Sequence, residues 1–339
     1  MAFCDVALDK DPHPLTVPGA ASVPSDDYPI ELTPPDISAY RKGNTGIDYV
    51  TRFDSGVPGP HVLVTALVHG NELCGAIALD FLLRSGVRPQ RGVLTLAFCN
   101  VAAYESFDRQ NPTASRFIEE DFNRLWSPEV LDSPRRSVEL VRARELRPVV
   151  DAADLLLDIH SMQHATAPLL LCGPLDKGRA FARAVGYPAL VVSDAGHAAG
   201  RRMRDYGSFS DPRSPKNALL VECGQHWAAA SAAVAKETLL RFLHHLGILA
   251  PDFVAANLPA QPPGPQRVIE VTDAVTIRTD EFVFAADYRG LEVIPKRGTI
   301  IAHDGDEPVR TPYDDCVLIM PSRRLSKGQT AVRLGRFVD

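Results

Sequence analysis

The stretch His61-Val62-Leu63-Val64-Thr65-Ala66-Leu67-Val68-His69-Gly70-Asn71-Glu72 decides how this chain is read. It begins as a β-rich run and breaks at Gly70. It then passes into residues 72–84, where Leu73, Ile77 and Phe81 fall at helical spacing with Ala76 and Leu82 beside them. A strand that feeds directly into a helix is the repeating unit of an α/β sheet. Working outward, Val93 to Cys99 reads as a second strand. Leu155 to Ile159 reads as a third, apolar on consecutive residues, as a strand covered on both faces must be. The runs 169–172, 189–192 and 218–221 look the same, and 134–150 and 228–246 carry helical patterns. The expected fold class is therefore α/β: a mixed sheet flanked by helices over residues 46–250.

Beyond Pro265 the texture changes. Short runs at 268–277, 282–285, 299–302 and 316–320 are split by Gly and Asp turns, with no long helical period. That predicts a smaller C-terminal all-β domain over 266–339. Proline marks the joints. The chain has 28 prolines in 339 residues, above the roughly 5% usual for soluble proteins. Seven lie in the first 35 residues and five between Pro251 and Pro265. Proline fixes φ and removes a donor, so residues 1–45 are read as an N-terminal arm and 251–265 as a linker.

Composition narrows the functional classes. A net charge of −6 disfavours nucleic acid or an anionic membrane as partner, since both need a clustered positive field. No apolar run approaches the ~18 residues of a spanning helix. Asp5 and Asp9 near the start argue against a secretory leader. The six cysteines form no CxxC pair and sit mostly in apolar contexts, as buried thiols in a reducing compartment would. The expected location is cytoplasmic, and a homo-oligomer is left open.

Ligands of open α/β sheets bind beyond the carboxyl ends of the strands. Three such ends carry chemistry here: His69-Gly70-Asn71-Glu72, Asp158-Ile159-His160-Ser161 and Glu222-Cys223-Gly224. The first turn can aim His69 and Glu72 into one cleft. His160 from a parallel strand would complete the His₂Glu set that holds catalytic zinc with one position open. Glu222 is available as the general base that hydrolysis needs. Asp158 either orients a ligand histidine or is simply a polar strand-end residue. Taken singly, His69 reads as a loop histidine and Glu72 as a helix N-terminal charge; their shared placement carries the functional reading.

In order along the chain, His69-Gly70-Asn71-Glu72, Asp121-Phe122-Asn123-Arg124, Asp158-Ile159-His160-Ser161 and Val221-Glu222-Cys223-Gly224 resemble the motifs of the succinylglutamate desuccinylase/aspartoacylase family, a branch of the zinc-carboxypeptidase-like fold. The resemblance covers about 46–250 by motif and extends more loosely into the C-terminal β domain. It implies one zinc ion per chain on His69, Glu72 and His160, with Glu222 as general base and acid. It also implies Asn123 and Arg124 on a substrate carboxylate and Arg116 on the oxyanion. Aspartoacylases of the family carry a further substrate arginine shortly before the catalytic glutamate. Arg213 is the nearest candidate here, with Arg201, Arg202 and Arg204 as rivals. Their C-terminal tyrosine is not placed in this sequence, where the equivalent region reads Ser322-Arg323-Arg324-Leu325. His226, close after Glu222, either lines the pocket or starts a helix.

Three functions compete on this reading. The first is a zinc-dependent amidohydrolase acting on a small anionic N-acyl amino acid. The second is a zinc carboxypeptidase acting on peptide C-termini. The third is a non-catalytic relative.

Overall fold

A computed structural model describes residues 28–196, 199–259 and 263–338. Most of the proline-rich arm, with Asp5 and Asp9, lies outside these residues. Seven strands come first: β1 (Val50–Asp54), β2 (His61–Ala66), β3 (Val93–Phe98), β4 (Leu155–Met162), β5 (Leu169–Leu171), β6 (Leu190–Ser193) and β7 (Asn217–Gln225). Between and after them run helices α1 (Leu73–Arg84), α2 (Val101–Glu105), α3 (Pro128–Leu131), α4 (Val138–Ala152), α5 (Asp176–Val185), α6 (Ala229–His245) and α7 (Pro251–Asn257). The last segment holds β8 (Arg267–Thr276), β9 (Phe282–Phe284), β10 (Val293–Ile294), β11 (Ile300–Asp304), β12 (Glu307–Arg310), β13 (Cys316–Ile319) and β14 (Thr330–Phe337).

The main sheet has the order β1-β3-β2-β4-β7-β5-β6-β8-β14-β13-β10. Its centre is parallel: β3, β2, β4 and β7 run together, so their carboxyl ends are aligned. β5 turns antiparallel against β7, making the sheet mixed. The buried faces of α1, α5 and α6 pack on one side, through residues such as Leu79, Phe181 and Leu243. Leu140, Ala143 and Leu146 of α4 pack on the other, against Leu63 and Leu156. Each fully buried leucine contributes roughly 1.5–3 kcal/mol relative to exposure. Coverage on both faces is why the central strands carry no polar alternation. Helix α1 lies so close to the sheet that a Cβ on Gly75 would come 2.9 Å from that of Ala66.

The C-terminal strands do form a smaller antiparallel region, with β12, β11 and β9 as a separate three-stranded sheet. However, β8 pairs in parallel with β6, and β14 and β13 then follow antiparallel. The large sheet therefore runs uninterrupted from one region into the other. A shared apolar cluster of Leu171, Val192, Leu220, Ile269 and Val317 spans the junction.

The stretch 251–265, read as a linker, opens instead with α7. Pro251 sits in its first turn, where a missing N–H costs nothing. Phe253 then packs on Phe81 at 6.3 Å. The described part of the arm lies on the helical face: Leu32 and Ile37 are buried, and the Tyr104 hydroxyl donates to the Pro35 carbonyl at 2.6 Å. Glu31 accepts from the Ala229 N–H at 2.7 Å. It thereby caps α6, which has no capping side chain of its own. No helix among the described residues is long and apolar enough to cross a membrane.

Candidate active site

Local backbone strain sets the first histidine. After β2 the chain turns through Leu67 at φ 59°, a left-handed conformation that a branched, buried side chain adopts only under surrounding constraint. Gly70 follows. A Cβ there would come 2.3–2.5 Å from the backbone of Ala103, Tyr104 and Ser115, so only glycine admits this approach. The Gly70 N–H donates to the Arg116 carbonyl at 3.1 Å, fixing the Arg116 segment beside the turn. Glu72 occupies the N-cap position of α1 yet caps nothing, because its carboxylate is turned into the site.

There, His69 Nδ1 lies 2.6 Å from Glu72 Oε1, and His160 Nδ1 lies 3.0 Å from Glu72 Oε2. The Ser161 N–H donates to the same Oε2 at 3.1 Å. One ligand atom from each of the three buried side chains falls within 4.8 Å of the others, a spacing that suits a metal ion. The second nitrogen of each histidine is held by a carboxylate: His69 Nε2 by Asp121 Oδ1 at 3.0 Å, and His160 Nε2 by Asp158 Oδ2 at 2.8 Å. Asp158 in turn accepts from the Thr65 hydroxyl at 2.7 Å. Carboxylates on the far nitrogens fix the ring orientation of metal-ligating histidines, so the donor set fits a zinc ion. Burial opposes the charge on Glu72, but the two imidazoles hold its carboxyl well below the usual range.

Glu222 stands opposite His160 in the β4–β7 register. Burial pushes its carboxyl up to about 8, with Glu72 adding to the rise and His160 and Arg116 opposing it. Its Oε2 is buried and has no hydrogen-bond partner among the described residues. Arg116 Nη2 donates to Asp121 Oδ2 at 3.0 Å, and its Nη1 lies 3.7 Å from Glu72. A positioned acid, a fixed guanidinium and a metal-ligand set thus surround one point.

A cavity of about 410 Å³ opens from this cluster. It is bordered by His69, Glu72, Arg116, Asn123, Arg124, His160 and Glu222, so seven of the eight expected site residues meet at one place. Asn123 works partly through the backbone: its Oδ1 accepts from the Met203 N–H at 2.9 Å. His226 also borders the cavity, with its Nδ1 2.8 Å from the Ser161 hydroxyl.

Arg213 is not brought there. Its side chain is 90% exposed and pairs with Asp211. The reason is Lys177, whose Nζ donates to the carbonyls of Asp211, Ser214 and Lys216 and pins this loop with Arg213 facing outward. Of its rivals, Arg202 borders the cavity, whereas Arg204 is buried behind it and Arg201 lines a different hollow.

Three participants had no role assigned from the sequence, although Asp121 opens a quoted motif. Asp121 links His69 to Arg116. Glu139 of α4 is fully buried and accepts from the backbone N–H groups of Ile118, Glu119 and Glu120, shaping the loop before Asp121. An acidic residue in the first turn of a helix was the available sequence signal for it. Arg333 of β14 borders the cavity from the C-terminal region, and nothing local in the sequence marks it.

Comparison with known proteins agrees with this geometry. Residues 58–246 match the profile of the Succinylglutamate desuccinylase/Aspartoacylase catalytic domain. The chain is 23% identical over 304 residues to a succinylglutamate desuccinylase of Pseudoalteromonas atlantica, covering 80% of this chain and 79% of the relative. It is 24% identical over 305 residues to one of Vibrio vulnificus, covering 82% of each. A crystal structure titled succinylglutamate desuccinylase/aspartoacylase from Rhodobacter sphaeroides superposes with a TM-score of 0.58 at 19% identity, over 86% of this chain and 89% of that one.

Proposed function

Because the chain belongs to the succinylglutamate desuccinylase/aspartoacylase family, we propose that it is a zinc-dependent hydrolase that cleaves the amide bond of a small anionic N-acyl amino acid. The observation that carries this reading is the His69–Glu72–His160 cluster, with a carboxylate on each histidine's second nitrogen and the unpartnered Glu222 carboxyl beside it.

His69, Glu72 and His160 would hold the zinc ion, which would supply Lewis acidity towards the amide carbonyl and water. Glu222 takes the proton of the attacking water on its carboxylate and returns it to the leaving nitrogen. A carboxyl raised towards neutral pH suits both halves of that exchange. Arg116, held by Asp121, presents fixed positive charge where the carbonyl oxygen becomes negative. Arg124 anchors a carboxylate of the amino-acid part, and Asn123 braces the turn beside it.

The cavity favours a small substrate over a peptide. Arg289, Met320, Pro321 and Arg324 of the C-terminal region border it, so it is walled by both parts of the chain. The buried free thiols of Cys74, Cys99, Cys172, Cys223 and Cys316 support a reducing, cytoplasmic setting. The test is Glu222→Gln, which preserves shape and removes the base. Zinc binding should persist while amine release from N-acyl amino acids is lost. Wild-type turnover in this variant would refute the mechanism.

A further inference from the structure

Two of the histidines that border the cavity have a buried ring nitrogen without a hydrogen-bond partner among the described residues: His164 at Nδ1 and His226 at Nε2. Their surroundings differ. Burial pushes the His164 imidazole down to about 4, and the charges acting on it come from Arg323, Asp287 and Arg289 of the C-terminal region. Burial pushes the His226 imidazole down to about 3, and the charges acting on it are those of Glu72, Arg116, His69 and His160. His226 therefore stands at the reacting centre, as an imidazole that stays uncharged at neutral pH. The backbone around it is tied to both metal-ligand segments. The His226 N–H donates to the carbonyl of Met162, at the end of β4, at 2.9 Å. Trp227 Nε1 donates to the carbonyl of Asn71, in the turn between His69 and Glu72, at 3.2 Å. The Trp227 N–H donates to the Gln225 side-chain oxygen at 2.8 Å, closing the turn on itself.

Ser161 orients the ring: its hydroxyl lies 2.8 Å from His226 Nδ1 and has no other partner among the described residues. A hydroxyl that gives its one proton to Nδ1 leaves the proton of an uncharged imidazole on Nε2. That places a buried N–H donor without an acceptor beside the metal-ligand set, which is costly until a ligand supplies one. An N-acyl amino acid offers two kinds of acceptor, its carboxylates and its amide carbonyl oxygen. Carboxylates are matched by guanidinium groups, whereas the carbonyl belongs beside Arg116 and the metal ligands, where His226 stands. We propose that His226 is a further catalytic residue whose Nε2–H donates to the oxygen of the scissile carbonyl alongside Arg116, and that Ser161 is the positioning residue that selects this tautomer. This rests on the hydrolase reading above and deepens it. A donor fixed before the substrate arrives acts most strongly on the oxygen once it gains negative charge. An uncharged imidazole can polarise a carbonyl in this way without giving up its proton.

The test has two readouts on the zinc-loaded protein. The first is a long-range proton–nitrogen correlation spectrum of the histidine side chains, with the His226 signals identified by their loss in His226→Gln. Wild type should carry the His226 proton on Nε2, and Ser161→Ala should show a mixture of tautomers. The second is steady-state hydrolysis of the best substrate among acetyl-, succinyl- and formyl-amino acids. His226→Phe keeps a ring but removes the donor. It should lower kcat by about 10²- to 10³-fold, the range for loss of one oxyanion donor, with zinc retained and KM within about threefold. His226→Gln restores an N–H at similar reach and should recover at least about tenfold of that loss. If His226→Phe does not fold, Ser161→Ala decides: its kcat should fall with KM kept. In a protein that turns over, a proton on Nδ1, an unchanged kcat, or a loss that falls on KM would each overturn this assignment alone. No turnover by wild type would overturn the hydrolase reading and this assignment with it, whichever nitrogen carries the proton.

Discussion

In the histidine cluster each imidazole is matched to carboxylates on both nitrogens, whereas in the arginine cluster Arg202, Arg204 and Arg333 gather around Asp194 and Asp205. Both clusters are buried and both border one cavity. The difference separates their tasks. A matched set of bases around converging ligand atoms is arranged to hold a cation. Guanidinium groups at a cavity wall are the side chains best shaped to hold a carboxylate. On the proposed reading, a chain with a net charge of −6 places a cation site and an anion site side by side.

The strongest way to break this comparison is to remove a ligand. Glu72→Ala should lose its zinc equivalent by metal analysis and reduce turnover to background. Next, Glu222→Gln should lower kcat by about 10²- to 10⁴-fold with zinc retained, the range for loss of a general base. Asp158→Asn should weaken zinc affinity by about 10- to 100-fold in a competition titration, because the ring of His160 loses its orienting partner. In the arginine cluster, Arg124→Met should raise KM more than it lowers kcat, since a carboxylate anchor acts on binding.

The two clusters also differ in how much of them the sequence disclosed. His69 and Glu72 sit in one turn, and His160 and Glu222 sit at strand ends that parallel pairing must align, so local patterns sufficed. Leu157 pairs with Val64 and with Leu219 across three neighbouring strands, and that register brings His160 and Glu222 to the edge where the His69–Glu72 turn follows β2. The arginine cluster draws on residues 124, 194, 202–205 and 333. It exists only because β14 pairs with β8 and β8 with β6. Hydrophobic alternation reveals that a strand exists but not which strand it joins. That is why the last segment read as a separate β domain and why Arg333 stayed invisible. Arg213 looked right by its distance from Glu222 along the chain, but the carbonyl cage around Lys177 decides where that loop points.

Smaller effects should appear in the pH dependence of stability. Burial opposes the charge of Asp194, yet Arg202 and Arg333 hold its carboxyl down to about 2, below the ordinary 3.8. Its stabilising contribution is complete above about pH 4 and is lost as pH falls through about 2. The thermal midpoint should therefore drop across that window in wild type, with a shallower slope in Asp194→Asn. Glu222 has the opposite sign. Its carboxyl is raised to about 8 from 4.5, so its contribution is complete below about pH 4.5 and is lost as pH rises through about 8. Metal-free Glu222→Gln should melt above metal-free wild type at about pH 8, and the gap should close towards about pH 4.5.

The most direct measurement of the central claim is amine release from a panel of acetyl-, succinyl- and formyl-amino acids by the purified protein, first stripped of metal and then titrated with zinc. Release should be absent in the stripped protein, rise to a plateau at one zinc per chain, and disappear again on chelation. Full turnover by the stripped protein, or hydrolysis of short peptides with none of the N-acyl amino acids, would contradict it.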